Sequence, residues 1–314
     1  MENYLKFNLT PLAISEAGLV GDLTEATVKQ SAAAKPQPFG GVNTQAGVIT
    51  IKGALYPDTY RRIEGMLDIL AQECSAIILD IDSPGGMVAG CFDLSDKIYL
   101  LRQKVPIYSF VGDRCFSAAF SLASASTKIY LARSAGVGSV GVIAVHVDQS
   151  GLHDKIGLKF TPVYAGARKI DGSPLGPLSE RAMSDLQKSI DDSYKTFCQI
   201  VGRNRGVLAS TVKQTEAGIF YGQDAIKAGL VDCIASRTDA FKYIAQEISK
   251  GGQTASATKP KESMVPSVPA KAKTFDPDLL KKDAIKRVAA AAPAPSKSTK
   301  QPIHSMSVST SYLH

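Results

Sequence analysis

Between about residues 46 and 236, short apolar runs alternate with segments whose apolar residues recur every three or four positions. This alternation restricts what the chain can fold into more than any other feature. Val48-Ile51 is a short, mostly apolar run that stops before Gly53, and Tyr60 to Leu70 follows with helical spacing through Ile63, Met66, Leu67 and Leu70. Ala76-Ile81 is a nearly continuous apolar strand, the pattern of a sheet covered on both faces. A helix over about 88–103 precedes the strand Ile107-Val111, and the Ala-rich stretch Ser117-Ser126 reads as a buried helix. The strand Lys128-Leu131 and the long apolar run Val137-Val147 come next. Ser179 then caps a helix with a stripe of Met183, Leu186, Ile190, Tyr194, Phe197 and Val201. Strands alternating with helices predict an α/β fold: a parallel sheet with right-handed crossover helices, whose sites lie at the strand carboxyl ends.

Composition decides how much of the chain takes part. At 314 residues, two units at most are expected, from a soft prior of roughly 150 residues per domain. Beyond Gly251-Gly252 lie 7 of the 16 prolines, the run Ala289-Ala292 and two aromatics. Such a segment cannot offset its ordering entropy by burial, so 251–314 reads as a disordered basic tail. One short helix is expected near Asp276-Pro277. The tail carries 10 Lys/Arg against 4 Asp/Glu, leaving 26 against 25 for residues 1–250. Of the net charge of +7, +6 therefore belongs to the tail and the body is nearly neutral, so a basic body tracking nucleic acid is not supported. Residues 1–45 lack sustained periodicity and read as a loosely ordered arm, which leaves 46–250 as the folded domain. Cys74, Cys91, Cys115, Cys198 and Cys233 are scattered, with no CxxC pair, which fits a reducing compartment rather than a disulfide framework or a zinc site. No run approaches the ~18–20 apolar residues of a membrane span, and no secretory signal is evident, so a soluble, non-exported protein is expected.

Two turns carry the chemistry. Asp82-Ser83-Pro84-Gly85-Gly86 directly follows the strand Ala76-Ile81. Paired glycines there let backbone N–H groups face outward unobstructed, as an oxyanion hole requires, although a bare PGG is also an ordinary strand-to-helix turn. Cys115-Phe116-Ser117-Ala118-Ala119-Phe120 follows the next strand and opens the Ala-rich helix. Ser117 suits a simple helix cap as well as a nucleophile, and a nucleophile needs a base. Of four histidines, His304 and His314 fall in the tail and His153 in a polar loop; His146 ends an apolar run, where a structural role is expected. A lysine serves instead if its pKa falls from about 10.4 toward neutrality. Lys169, between Gly166 and Gly172, is the candidate, with a surface lysine as the plainer reading.

Taken in order, Ser83-Pro84-Gly85-Gly86, Ser117-Ala118-Ala119-Phe120, Gly138-Ser139-Val140-Gly141-Val142, Ala165-Gly166-Ala167-Arg168-Lys169 and Tyr221…Ala225…Gly229-Leu230-Val231-Asp232 resemble the S49 peptidases, over roughly residues 45–236. This family includes signal peptide peptidase A and the head maturation proteases of tailed phages. The resemblance implies a Clp/crotonase-like fold and a serine endopeptidase with a Ser–Lys dyad. On the matching motifs, Ser117 is the nucleophile, Lys169 the general base, and Ser139 the residue orienting the lysine. The backbone N–H groups of Gly86 and Ala118 form the oxyanion hole. Arg168 stays outside the chemistry, although its charge would help keep Lys169 neutral. The implied chemistry needs no metal or organic cofactor.

A protease domain followed by a Pro/Ala/Lys-rich tail resembles the phage head proteases, in which a scaffolding segment is fused behind the protease. That layout implies processing of coat, scaffold and portal proteins, and of the chain itself within about 250–300, inside an assembling prohead in the host cytoplasm. A homo-oligomer is implied, with no membrane and no specific nucleic acid as partner; in some members the lysine comes from a neighbouring subunit. Other readings stay open: a soluble signal peptide peptidase-like protease, a Clp-type protease with His146 as base, a non-catalytic assembly scaffold, and a crotonase-like acyl-CoA enzyme.

Overall fold

The computed structural model describes Leu12–Ile14, Gln37–Pro38 and residues 45–254. The tail beyond 254, including the helix expected near Asp276, lies outside the described residues. Ten strands alternate with eight helices among the described residues. In chain order these are β1 (Leu12–Ile14), β2 (Gln37–Pro38), β3 (Gln45–Lys52), α1 (Pro57–Glu73), β4 (Ala76–Ser83), β5 (Gly85–Met87), α2 (Cys91–Leu101), β6 (Ile107–Phe116), α3 (Ala118–Ser124) and β7 (Lys128–Leu131). There follow β8 (Gly136–Gly138), α4 (Ser150–Lys155), α5 (Glu180–Arg205), α6 (Ala209–Lys213), β9 (Ile219–Tyr221), α7 (Gly222–Lys227), β10 (Cys233–Ile234) and α8 (Arg237–Thr254).

The main path of the eight-stranded sheet runs β10-β7-β6-β4-β3-β2, parallel except for the antiparallel β2–β3 pair, and β8 branches from β6 in parallel and pairs antiparallel with β9. The α/β architecture expected from the alternation is thus present, with helices on both faces. On one face, Ala240, Ile244 and Ile248 of α8 pack with Ala76 and Ile78 of β4, Tyr108 and Phe110 of β6, and Tyr130 of β7. On the other, α1 buries Tyr60, Ile63, Leu67 and Leu70, a spacing of three and four that lines up one helix face. Double coverage explains why β4 reads Ala-Ile-Ile-Leu without alternation. Of its two acidic residues, Asp80 is answered by Arg237 of α8 through two hydrogen bonds of 2.9 and 2.8 Å, and Asp82 by Arg114 of β6 at 3.3 Å. Arg237 also lies over the rings of Phe110 and Phe241.

Three differences from the sequence-based expectations bear on the site. β6 continues past Val111 to Phe116, because its second half pairs with β8 through Arg114, Cys115 and Phe116 and with Ser83 of β4. Ser117 is therefore the residue immediately beyond a strand's carboxyl end. The apolar run Val137-Val147 makes a strand only over Gly136–Gly138. The stripe on α5 is buried only from Phe197 onward; Met183 is 54% exposed, and Leu186, Ile190 and Tyr194 are half-buried. Ser179 does cap this helix, its hydroxyl accepting from the Ala182 N–H at 3.2 Å. The carboxyl half of α5 is anchored by Asn204, whose amide donates to Ser95 of α2 at 3.1 Å and to Ser124 of α3 at 2.9 Å.

Two smaller differences concern segments expected to lack regular structure. His153 lies in α4 rather than a loop, with its ring 4.7 Å from that of Phe160. The amino-terminal arm contributes the strands β1 and β2. All five cysteines are free thiols.

Candidate active site

The turn between β4 and β5 is shaped by Ser83, whose hydroxyl donates to the Gly53 carbonyl at 2.7 Å and accepts from the Gly85 N–H at 3.2 Å. β5 then runs beside Leu55. The Leu55 N–H donates to the Gly85 carbonyl at 2.9 Å, and the Met87 N–H donates to the Leu55 carbonyl at 2.8 Å. A Cβ on Gly86 would stand 1.9 Å from the Leu55 carbonyl oxygen, so only glycine lets the two backbones approach this closely. Because successive residues of a strand direct their polar groups to opposite edges, the Gly86 N–H faces away from Leu55. This is the orientation an oxyanion donor requires.

α3 packs against β5 and opens on Ser117. All seven of its residues are buried, which the small side chains Ala118, Ala119, Ala123 and Ser121 make possible. Ser117 has φ 53° and ψ −119°, a conformation that residues with a Cβ rarely adopt. The sharp strand-to-helix turn is held by its own backbone: the Ser117 N–H donates to the Gly138 carbonyl at 2.8 Å, and the Ser121 N–H to the Ser117 carbonyl at 3.0 Å. The side chain makes no cap hydrogen bond, which sets aside the plainer reading of Ser117 as a helix cap. Its hydroxyl donates to the Gly141 carbonyl at 3.3 Å instead. Ser117 is fully buried.

The segment beside it is the Gly138-Ser139-Val140-Gly141 motif. Gly138 has φ 114°, and a Cβ there would stand 2.5 Å from the Gly218 carbonyl oxygen. Ser139 also has a positive φ, 53°, and its N–H donates to the Gly218 carbonyl at 2.9 Å. Two non-glycine residues with positive φ thus stand side by side at the ends of β6 and β8. Such local strain persists only where the surrounding structure over-determines it, and it gathers at functional sites.

The structure therefore brings together Ser117, Ala118, the β5 glycines and the Ser139 segment. Lys169 has a different setting. It is exposed, its N–H donates to the Gly166 carbonyl at 2.9 Å, and its side chain forms no ion pair among the described residues. Neighbouring Arg168 is paired with Asp185 of α5 at 2.8 Å, so its charge is already answered. His146 is half-buried and its Nε2 lies 3.0 Å from the Ser173 carbonyl oxygen, consistent with a structural role.

Sequence reasoning missed Gly141 as the hydroxyl's acceptor and Leu55 as the partner of Gly86. The tight glycine requirement at 86 is a signal of backbone approach, but the sequence does not say to what. Burial raises the Cys115 thiol, two residues before Ser117, and pushes the Cys91 thiol up to about 12; both stay protonated and inert at neutral pH. No helix among the described residues is long and apolar enough to cross a membrane.

Comparison with known proteins bears on the same region. The head-tail preconnector protein GP5 of Enterobacteria phage P21 is 33% identical over 213 residues, covering 68% of this chain and 40% of that protein. The capsid assembly protease C of Escherichia phage lambda is 34% identical over 205 residues, covering 65% of this chain and 44% of that protein. The chain thus spans less than half the length of these relatives. Among solved structures, a ClpP1 variant from Listeria monocytogenes aligns with a TM-score of 0.42 at 14% identity, over 62% of this chain and 94% of that one. The sequence pattern of peptidase family S49 matches residues 99–250, a span holding the strained Ser117 turn, the Ser139 segment and Lys169. With that match falling on the strained turn itself, and with identity of a third to two phage proteins, residues 99–250 of the chain belong to peptidase family S49.

Proposed function

We propose that the chain is a serine endopeptidase of phage head maturation, with Ser117 as nucleophile and Lys169 as general base. The observation that carries this reading is Ser117 at φ 53°, uncommitted as a helix cap and held beside the glycine strand β5. Lys169 takes the Ser117 proton as the hydroxyl oxygen attacks the scissile carbonyl. The oxyanion so formed accepts from the Gly86 and Ala118 N–H groups; one such donor contributes about 2.7–4 kcal/mol to the transition state. Protonated Lys169 gives its proton to the leaving amine as the C–N bond breaks, and water then releases the acyl group by the same steps. Ser139 orients the lysine.

The exposed setting of Lys169 favours a dyad completed between subunits. The segment carrying it exposes Leu152, Ile156, Leu158 and Val163, the last 95% exposed, and the first half of α5 exposes Met183 beside it in sequence. Apolar side chains exposed along one stretch of chain suit a protein–protein surface. A homo-oligomer that buries them would deliver Lys169 of one copy to Ser117 of the next.

The likeness to the two phage proteins supports capsid and scaffold proteins as substrates, with residues 46–250 as the protease domain and 251–314 as a scaffolding segment that the enzyme itself removes. The test is intact-mass spectrometry of the unmodified chain and of Ser117→Ala, each co-expressed with the coat protein encoded beside it. Fragments of the tail and of coat or scaffold that vanish in Ser117→Ala are expected. Full-length protein without fragments in both, at 33.3 kDa for the unmodified chain, would overturn the reading.

A further inference from the structure

The exposed edge of β5 has an occupant. Leu12–Ile14 pairs with it antiparallel, with Leu12 opposite Met87, Ala13 opposite Gly86 and Ile14 opposite Gly85. Leu55 already takes the Gly85 carbonyl and the Met87 N–H on the other edge. The groups left for β1 are therefore the N–H and C=O of Gly86, and Ala13 is the residue that faces them. An antiparallel strand on a sheet edge is the way an extended peptide is commonly recognised, with the main chain supplying the affinity. Here the strand lies against the glycine whose N–H is assigned to the oxyanion.

We propose that β5 is a peptide-docking edge and that the chain's own residues 12–14 occupy it in the resting protein, so that an incoming polypeptide must displace them. The proposal rests on the peptidase reading for the meaning of Gly86, but the pairing itself does not depend on it. Three features support an internal occupant. The register centres Ala13 on Gly86 rather than grazing the edge. Ser117 is fully buried, so a substrate carbonyl reaches it only after a covering segment moves. The occupant is tethered to the same chain, which raises its effective concentration to about the millimolar range and lets a three-residue strand hold the edge.

The experiment uses hydrogen exchange on the full-length Ser117→Ala protein, which prevents self-cleavage, with and without Ala13→Pro. Proline removes the N–H that faces the Gly86 carbonyl, whereas Ala13→Val keeps it and serves as the control. The Gly86 amide is expected to exchange about tenfold faster in Ala13→Pro, as the loss of one or two net hydrogen bonds implies, while the Gly85 and Met87 amides, bonded to Ser83 and Leu55, keep their protection. Exchange at 76–81 in the sheet core should stay unchanged. A synthetic peptide spanning residues 8–18 should restore the lost protection. With Ser117 intact, Ala13→Pro should cleave dye-labelled casein with a KM several-fold lower and kcat unchanged. Equal exchange of the Gly86 amide in the two proteins overturns the proposal. If casein is cut by neither Ala13→Pro nor the unmodified chain, the peptidase reading fails on its own, and the exchange result still decides this proposal.

Discussion

Gly86 and Leu55 approach so closely that a single added methyl at residue 86 would overlap the Leu55 carbonyl oxygen, 1.9 Å from it. The pairing of these two backbones turns the Gly86 N–H outward, and it leaves no room for any side chain. Gly86→Ala is therefore expected to push β5 away from Leu55 and misalign the oxyanion donor. Proteolysis should fall by about 10²–10³-fold, the effect of losing one such donor. The check is the kcat for casein beside circular dichroism and a thermal melt, with a fold retained at somewhat lower Tm.

Ser117 holds a backbone conformation suited to glycine, and strain of this kind costs on the order of 1–3 kcal/mol. Ser117→Gly is expected to be inactive yet more stable than the unmodified chain by about 1 kcal/mol, after glycine's greater loss of freedom on folding is set against the relief. Ser117→Ala should be equally inactive without that gain. Urea unfolding of the three proteins checks the order, and a Ser117→Gly protein no more stable than Ser117→Ala would remove the strain argument.

Substituting the two candidate bases separately distinguishes their roles. Lys169→Ala should lower proteolysis by about 10²–10⁴-fold, the range for a general base, and leave stability within about 0.5 kcal/mol, since the side chain is exposed. His146→Ala should cost far less activity, because its ring is engaged with the Ser173 carbonyl. Mixing Ser117→Ala with Lys169→Ala subunits should recover activity at about a quarter of the interfaces if the dyad spans two copies, as random pairing of subunits requires. No recovery would put both residues in one chain.

The buried thiols predict a weakening at alkaline pH. Burial pushes Cys91 up to about 12 and raises Cys115 as well, while in the unfolded chain both thiols ionise near about 8.5. Since the folded values lie above the unfolded ones, this contribution to stability is complete below about pH 8.5 and is lost as pH rises toward the folded values. The slope is about 1.4 kcal/mol per pH unit for each thiol. Urea midpoints at pH 7.5, 9 and 10.5 should fall accordingly, and Cys91→Ala should show a shallower decline. A midpoint independent of pH over that range would contradict the assignment.

Much of this molecule follows from local pattern. The unbroken apolar run of β4, the three-and-four spacing in α1 and the Ser179 cap each state a periodicity or a hydrogen bond formed within a few residues. Ser117 and the paired glycines were likewise legible, because small residues after a strand point to a backbone that must come close to something. What they come close to was not. The Leu55 carbonyl lies about thirty residues from Gly86, and the Gly141 carbonyl 24 residues from Ser117; each contact depends on crossover connections that bring distant strand ends together. The sequence also marked the stripe on α5 as apolar, but only the assembled sheet decided that Phe197 is buried while Met183 is exposed. Periodicity reports the energetic wish of a segment to bury a face; whether a neighbour stands there is set by tertiary geometry. The same holds for residues 12–14, whose short run carries no periodic signal and whose strand exists because β5 offers an open edge.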